Sequence, residues 1–292
     1  MSEMIPAWLR EEIRQAKSGK KRDTIEKTSS LLARLGLSTV CDSARCPNRR
    51  ECFSHSTATF LILGEICTRD CSFCAVKHGP PEGPADAGEP ERLVSAVSQL
   101  GLSHVVITSV TRDDLPDGGA GHYALVIQEL HRHCPGVTVE VLVPDFMGSG
   151  ESLAKVLEAA PHILAHNVET VPRLYGEVRR GADYERSLTL LRWAGSFVPQ
   201  VVVKSGFMLG LGETAAEIEA VLQDLVAAGC DMVTIGQYLS PSLAHFPVIR
   251  YVTRHEFAYW REAGLRLGLR SVASGPLVRS SYKAPFYFGE LL

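Results

Sequence analysis

Three cysteines, Cys67, Cys71 and Cys74, have a spacing that suits an iron–sulfur cluster. They form C-x3-C-x2-C, called here the first set, and follow an apolar, β-branched run that predicts a strand over Thr57–Leu63. Three thiolates on so short a loop can bind three irons of a cubane [4Fe–4S] cluster and leave the fourth iron open for a substrate. Zinc is the alternative, but a structural zinc site needs four protein ligands, and the nearby His78 would have to be one. Simple burial of apolar cysteines is a third interpretation, and it fits poorly with the polar residues of the loop.

A second set of three cysteines, Cys41, Cys46 and Cys52, precedes the first set. Its spacing, C-x4-C-x5-C, matches neither a zinc finger nor the first set. In a reducing compartment, clustered cysteines bind metals more often than they form disulfides. Two triplets of thiolates therefore predict two clusters, and the second cluster needs a fourth ligand from elsewhere in the chain.

The elements that must position these cysteines alternate between two patterns. Apolar runs typical of buried strands cover Thr57–Leu63, His104–Val110, Val137–Val143, His162–Asn167, Val201–Lys204 and Asp231–Ile235. Amphipathic stretches with helical spacing cover Glu91–Leu100, Tyr123–His133, Glu151–Ala159, Tyr184–Trp193, Ala215–Ala227 and Arg254–Leu267. This alternation predicts an α/β fold with a parallel sheet, and the number of units favours a partial (β/α)6 TIM-like barrel. An open, doubly wound sheet would produce the same alternation and stays an alternative.

The chain divides into three regions on this basis. Residues 1–53 form an N-terminal extension that carries the second set, and residues 54–267 form the partial barrel. Residues 268–292 form a C-terminal extension without helical periodicity. Because parallel sheets place their sites at the carboxyl ends of strands, we expect the first set at that edge.

The pattern C-x3-C-x-aromatic-C, with Phe73 as the aromatic residue, resembles the signature of the radical S-adenosylmethionine (SAM) superfamily. This resemblance implies that the first set holds a cluster that binds and cleaves SAM to a radical. Such a radical can remove hydrogen from an unactivated carbon, which no side-chain base can do, so the hard step belongs to the cofactor.

Residues 206–213 are similar to the superfamily's G-x-I-x-G-x-x-E element near the adenine, with Met208 in the place of isoleucine. Ser109 stands where the superfamily has Gly-Gly-Glu, so its contact with the methionine part of SAM is inferred from position. Glu140 and Asn167 lie on or just after predicted strands, and we expect them to contact SAM as well.

The two cysteine sets in this order resemble the lipoyl synthase family, and so do blocks along nearly the whole chain: DSARCPN (42–48), VITSVTRDDLPDGGA (106–120), NVETV (167–171), KSGFMLGLGET (204–214), TIGQYLSPS (234–242) and GPLVRSSY (275–282). The resemblance implies insertion of two sulfur atoms at C6 and C8 of a protein-bound N6-octanoyl-lysine. The sulfur would come from the second, auxiliary [4Fe–4S] cluster.

In that family a serine of the motif Arg-Ser-Ser-Tyr binds the fourth iron of the auxiliary cluster, and here the motif spans residues 279–282. Neighbouring residues of an extended segment point to opposite sides, so only one serine can be the ligand. We expect Ser281 and keep Ser280 as the alternative.

The resemblance also implies partners: an octanoylated carrier, either an H protein or an E2 lipoyl domain, a ferredoxin or flavodoxin as reductant, and an iron–sulfur cluster carrier. Two other functions stay open. One is a different radical SAM enzyme with an auxiliary cluster, such as a biotin-synthase-like sulfur inserter. The other is a two-cluster electron-transfer protein. The blocks outside the cysteines favour the lipoyl synthase interpretation.

Composition excludes several other classes of protein. The chain has 292 residues, 45% hydrophobic and 22% charged, which is ordinary for a globular enzyme and unlike a disordered or collagen-like chain. Its net charge of −3 predicts no nucleic-acid partner. No apolar run approaches the ~18 residues of a membrane span, and the N-terminus lacks the apolar core of a signal peptide. We therefore expect a soluble, cytoplasmic enzyme.

Overall fold

An eight-stranded sheet organises the computed structural model, which describes residues 5–18, 22–81, 83–197 and 201–291. The strands are β1 Ser38–Thr39, β2 Thr59–Ile62, β3 Ile66–Cys67, β4 Lys77–His78, β5 His104–Ser109, β6 Thr138–Leu142, β7 Ile163–Ala165, β8 Val202–Leu209, β9 Met232–Gln237 and β10 Ser271–Gly275. The helices are α1 Ala7–Lys17, α2 Arg22–Arg34, α3 Val40–Ser43, α4 Arg49–Ser54, α5 Glu89–Leu100, α6 Ala120–His133, α7 Gly150–Glu158, α8 Tyr175–Val178, α9 Tyr184–Phe197, α10 Ala215–Ala227, α11 Arg254–Leu267 and α12 Ala284–Gly289.

The strand order is β1-β2-β5-β6-β7-β8-β9-β10, and β3 and β4 form a separate pair. All neighbours from β2 to β10 are parallel, and only β1 runs antiparallel, at the edge. Within the described residues β10 does not pair with the first strands, so the sheet is a partial barrel, as predicted. The strands are buried on both faces because the following helices cover the outside. All six predicted βα units are confirmed. Helix α10 begins at a capping box formed by Thr214 and Glu217.

The seventh parallel strand, β10, was not predicted, and it lies in the C-terminal extension. Its sequence, SVASG, is too short and too rich in small residues to show an alternating pattern. After β10 the chain passes close to Gly236 of β9, where a Cβ atom would collide with the carbonyl oxygen of Val278. It then reaches α12, whose Phe288 ring contacts His104 at the start of β5. The C-terminal extension thus runs from the carboxyl edge of the sheet towards its amino edge.

The N-terminal extension is helical and packs on the barrel. Leu9 of α1 and Phe53 of α4 are fully buried, and the Thr28 hydroxyl of α2 donates to the Phe53 carbonyl at 3.2 Å. These contacts fix α4, which carries Cys52. Across the parts of the chain that the structure describes, no helix is long and apolar enough to cross a membrane.

Candidate iron–sulfur centres

Hydrogen bonds to three other loops fix the loop of the first set. The Thr68 amide donates to the Thr111 carbonyl at 2.9 Å, after β5. The Ser72 amide donates to the Val178 carbonyl at 3.0 Å, and the Ser72 carbonyl accepts from the Phe246 amide at 2.8 Å. These partners follow the carboxyl ends of β5, β7 and β9. The first set therefore lies at the edge of the sheet where its position after a strand predicted it.

The three thiols of the first set are electrostatic neighbours. Burial, with smaller contributions from the charges of Cys74 and Cys67, raises the pKa of the Cys71 thiol to about 12, although Arg179 opposes the shift. Burial also raises the pKa of Cys74 to about 11. A buried thiol of this kind keeps its proton until a metal replaces it. The loop can therefore gather three thiolates around a cluster.

Arg69, between two cysteines of the first set, anchors the loop through two carboxylates. Its guanidinium donates to both oxygens of Asp113, at 2.7 and 2.9 Å, and to both oxygens of Asp145, at 2.5 and 3.0 Å. The Arg69 side chain is 7% exposed and that of Asp145 is 0% exposed. Arg186 adds a third contact, at 3.2 Å from Asp145. Bidentate pairs fix orientation as well as distance, so this network holds the loop against the ends of β5 and β6.

The second set forms a separate group of thiols beside β2. Burial and the nearby Cys46 together raise the pKa of the Cys41 thiol to about 11, although the polar groups of Thr59 oppose the shift. Burial, together with the charges of Cys41 and Cys46, raises the pKa of Cys52 to about 12. Each thiol of the set thus lies within electrostatic range of the others.

The Arg-Ser-Ser-Tyr segment places three of its four residues against the second set. The Thr59 hydroxyl donates to Ser281 Oγ at 2.6 Å, and the same residue lowers the pKa of the neighbouring Cys41 thiol. The Tyr282 hydroxyl donates to the carboxylate of Glu51, next to Cys52, at 3.1 Å. Burial lowers the pKa of the Arg279 guanidinium, and the nearby Cys46 and Glu169 oppose that shift.

The Ser280 side chain hydrogen-bonds Asn167 and not a residue beside the second set. Its hydroxyl accepts a hydrogen bond from Asn167 Nδ2 at 2.6 Å, and the same amide nitrogen donates to Glu169 Oε1 at 3.0 Å. Burial raises the pKa of Glu169, while Arg179, Asn167 and Arg279 oppose the shift. The charge of Glu169 thus interacts with two cations, the buried Arg179 near the first set and the half-buried Arg279 near the second.

Four of the residues expected to contact SAM surround this region. Ser109 ends β5 and pairs in register with Ile62 at the end of β2. Phe73 packs partly buried against the core, and the Met208 amide, near the end of β8, donates to the Glu169 carbonyl at 2.8 Å. Asn167 makes the contacts already described. Gly206 of β8 must lack a side chain, because a Cβ atom would collide with the hydroxyl of Thr234 on β9.

Glu140 has different partners from those expected. One of its oxygens accepts from Lys204 Nζ at 2.6 Å, and the other lies 3.0 Å from His104 Nε2. The side chains of Glu140 and Lys204 are 1% and 2% exposed. Their location in mid-strand, below the rim that carries the cysteines, makes this triad part of the barrel interior. The structure does not bring Glu140 to the first set.

The donor sets fit iron–sulfur clusters better than single metal ions. In residues 5–18, 22–81, 83–197 and 201–291, no group of three His, Cys, Asp or Glu side chains is arranged to hold one ion. Zinc would require thiolates within about 4 Å of each other, given a Zn–S distance of about 2.3 Å. The thiolates of a cubane bind different irons and stand further apart. All six cysteines are free thiols, and His78 lies 3.8 Å from Asp70.

Sequence reasoning missed Arg69, Asp145 and Arg179. Arg69 lies between two expected ligands, which is a usable signal, but its partners are 44 and 76 residues away. Only the parallel sheet brings these residues together.

Comparison with known proteins supports the same assignment. Residues 61–225 match the family model of the radical SAM superfamily. A lipoyl synthase of Caldanaerobacter subterraneus subsp. tengcongensis is 54% identical over 279 residues, which cover 96% of this chain and 95% of that protein. A lipoyl synthase of Trichlorobacter lovleyi is 54% identical over 97% of this chain and 98% of its own length. The crystal structure of Streptococcus suis SuiB bound to precursor peptide SuiA has a similar fold, with a TM-score of 0.58 and 12% identity over 82% of this chain and 55% of SuiB.

Proposed function

Because the chain belongs to the lipoyl synthase family of the radical SAM superfamily, we propose that its two cysteine sets hold two [4Fe–4S] clusters with different tasks. The first set holds the cluster that binds SAM. The second set, with Ser281 as fourth ligand, holds an auxiliary cluster that donates sulfur. The observation that carries this assignment is the hydrogen bond of Ser281 with Thr59, whose polar groups lie close enough to Cys41 to oppose the rise of the thiol pKa.

The reaction is the insertion of sulfur at C6 and C8 of an octanoyl chain linked to a carrier-protein lysine. When bound, SAM and its cluster supply the radical chemistry that removes hydrogen from these unactivated carbons, and the auxiliary cluster supplies the sulfur. Phe73, Ser109, Asn167 and Met208 line the region where SAM binds. Glu140 is not part of that set, because Lys204 and His104 occupy its oxygens.

The residues of the chain position and protect these groups. Arg69 and the backbone bonds around it hold the first-set thiolates at fixed positions. Partial burial of Cys71 and Cys74 in the first set limits the access of water, which protects reactive intermediates from side reactions. A serine oxygen is a hard ligand among soft thiolates, so it would be the most exchangeable ligand of an auxiliary cluster held by the second set. Ser281 suits that role and Ser280, bound to Asn167, does not.

We assign three partners to this enzyme. The substrate carrier is an octanoylated H protein or E2 lipoyl domain, the reductant is a ferredoxin or flavodoxin, and a cluster carrier restores the auxiliary cluster. A cytoplasmic location suits this function, because both sets need reduced thiols to bind their clusters.

The test separates SAM cleavage from sulfur insertion. In a Cys41→Ala, Cys46→Ala variant given SAM, a strong reductant and an octanoylated lipoyl domain, we expect 5′-deoxyadenosine and no lipoyl product. In a Cys71→Ala variant we expect neither. Cys230→Ala, at a buried cysteine outside both sets, is the matched control and should form both products. Lipoyl product from the first variant would contradict the proposal.

A further inference from the structure

A small basic pocket opens directly onto the second set. It encloses about 280 Å³ and is lined by Cys41 and Cys46 together with four cationic side chains, called here the basic mouth: Lys17, Arg45, Arg49 and Arg50. Asp42 and Pro47 complete the lining. A surface opening therefore reaches two of the three thiols assigned to the auxiliary cluster.

The positive charge of the mouth is largely uncompensated. Lys17, Arg45 and Arg50 are exposed, and none of them forms an ion pair with a carboxylate in the described part of the chain. The lone carboxylate, Asp42, pairs with Arg49. Arg45 also has a left-handed backbone, with a φ of 50°, a conformation that costs energy in a residue with a side chain. Such a surface attracts anionic groups and leaves net positive charge for a partner to neutralise.

The lining of the pocket argues against the octanoyl chain as its occupant. Pro47 is the only lining residue that is neither charged nor one of the thiols, so no apolar wall is present to cover eight carbons. A second cavity, of about 780 Å³, lies between α1, α4 and the segment after β10, and it has apolar walls at Ala16, Leu277 and Val278. The basic mouth instead suits an anionic inorganic group on an acidic protein surface.

We propose that the basic mouth docks the acidic face of an iron–sulfur carrier protein, which transfers a [4Fe–4S] cluster to the second set. This inference rests on the proposed function, since only a cluster that is consumed needs replacement through a permanent opening. A thiolate-bound [4Fe–4S] unit is anionic, so the same cations attract both the cluster and the acidic surface around it.

The transfer is an exchange of ligands. At three irons the iron–thiolate bond to the carrier that breaks is replaced by a bond to Cys41, Cys46 or Cys52, and at the fourth iron the carrier ligand is replaced by Ser281 Oγ. The proton of each incoming thiol, and that of the Ser281 hydroxyl, passes to the departing carrier ligand. Iron and sulfide keep their oxidation states, so the step needs no reductant or oxidant.

The experiment measures cluster transfer rather than catalysis. The holoenzyme is depleted of its auxiliary cluster by one round of turnover and mixed anaerobically with a purified acidic [4Fe–4S] carrier protein, and transfer is followed by visible circular dichroism. For Arg45→Glu, Arg50→Glu we expect a second-order rate at least about tenfold below wild type at low salt. At about 1 M salt, where the screening length is about 3 Å, the difference should disappear.

Two exposed cations that do not line the pocket provide the matched control. Lys27→Glu, Arg266→Glu carries the same change in net charge and should transfer clusters at the wild-type rate. Equal rates for the mouth variant and this control would overturn the proposal. Weakened binding of the octanoylated lipoyl domain with unchanged cluster transfer would also overturn it, because the mouth would then dock the substrate carrier.

Iron analysis separates this inference from the proposed function. If the wild-type enzyme takes up only about four irons, the second set holds no cluster and the proposed function fails. If it takes up about eight irons and the mouth variant accepts clusters normally, only the docking proposal fails.

Discussion

Asp145→Asn tests whether the ion network at Arg69 holds the first-set loop. The Asp145 side chain is 0% exposed, and both of its oxygens bind the guanidinium of Arg69. Asparagine has nearly the same size, so the change removes the negative charge without opening a cavity. Arg69 keeps its ion pair with Asp113, but the side of its guanidinium that pairs with residue 145 then faces a neutral amide.

The expected loss can be worked out from the pKa of Asp145. Burial would raise this pKa, but the hydrogen bonds and charge of Arg69 lower it from 3.8 to about 2. A shift of about two units corresponds to about 2–3 kcal/mol. Removing one partner of a buried ion pair typically costs about 3–5 kcal/mol. We therefore expect the free energy of unfolding to fall by about 2–4 kcal/mol near neutral pH.

The pH dependence has a definite sign. A lowered pKa contributes stability above the unfolded value of about 3.9, and this contribution is lost as the pH falls through the folded value. The difference between wild type and variant should thus be constant from about pH 7 to 5 and shrink between about pH 4 and 2. Urea unfolding of both proteins, freed of their acid-labile clusters, measures this difference.

Asp70→Asn is the matched control, because Asp70 lies in the same loop but is 56% exposed, 3.5 Å from Arg180. Its loss should change stability by less than about 0.5 kcal/mol. A loss for Asp145→Asn as small as that, or one that persists unchanged below about pH 3, would refute the reasoning.

Two further substitutions have definite expectations. Ser281→Ala should retain SAM cleavage and lose most sulfur insertion, while Ser280→Ala should keep sulfur insertion. Mass spectrometry of the products distinguishes these two outcomes. The reverse result would assign the ligand to Ser280. Lys204→Met should destabilise the fold by about 3–5 kcal/mol, because it leaves Glu140 buried without its cation. In urea unfolding, the double variant with both Lys204→Met and Glu140→Gln should recover part of this loss. No recovery in the double variant would show that the two residues are not coupled.

The βα units were predictable because their signals are local. Periodicity gave α10 and α11 with their observed bounds, and the Thr214 capping box marked where α10 begins. Strand β10 was not predicted because its five residues, most of them small, show no alternating pattern. Its place in the sheet depends on pairing with β9. The N-terminal helices α1 and α2 were not predicted either, and their position depends on tertiary burial of residues such as Leu9 and Phe53.

The parts of the candidate site whose residues are close in sequence were predictable. The parts whose residues come together only across the sheet were not. Spacing alone identified both cysteine sets. The network of Arg69 and Asp145 depends on the register of β5 and β6, which no local pattern reports. Glu140 shows the same limit, because strand alternation places it inside the barrel but does not give its depth.

The most direct test of the two-cluster assignment is the anaerobic iron and sulfide content of wild type beside a Cys41→Ala, Cys46→Ala, Cys52→Ala variant. We expect about eight irons and eight sulfides per chain in wild type and about four of each in the variant, with SAM cleavage retained. About four irons in both proteins would contradict the account, because the second set would then hold no cluster.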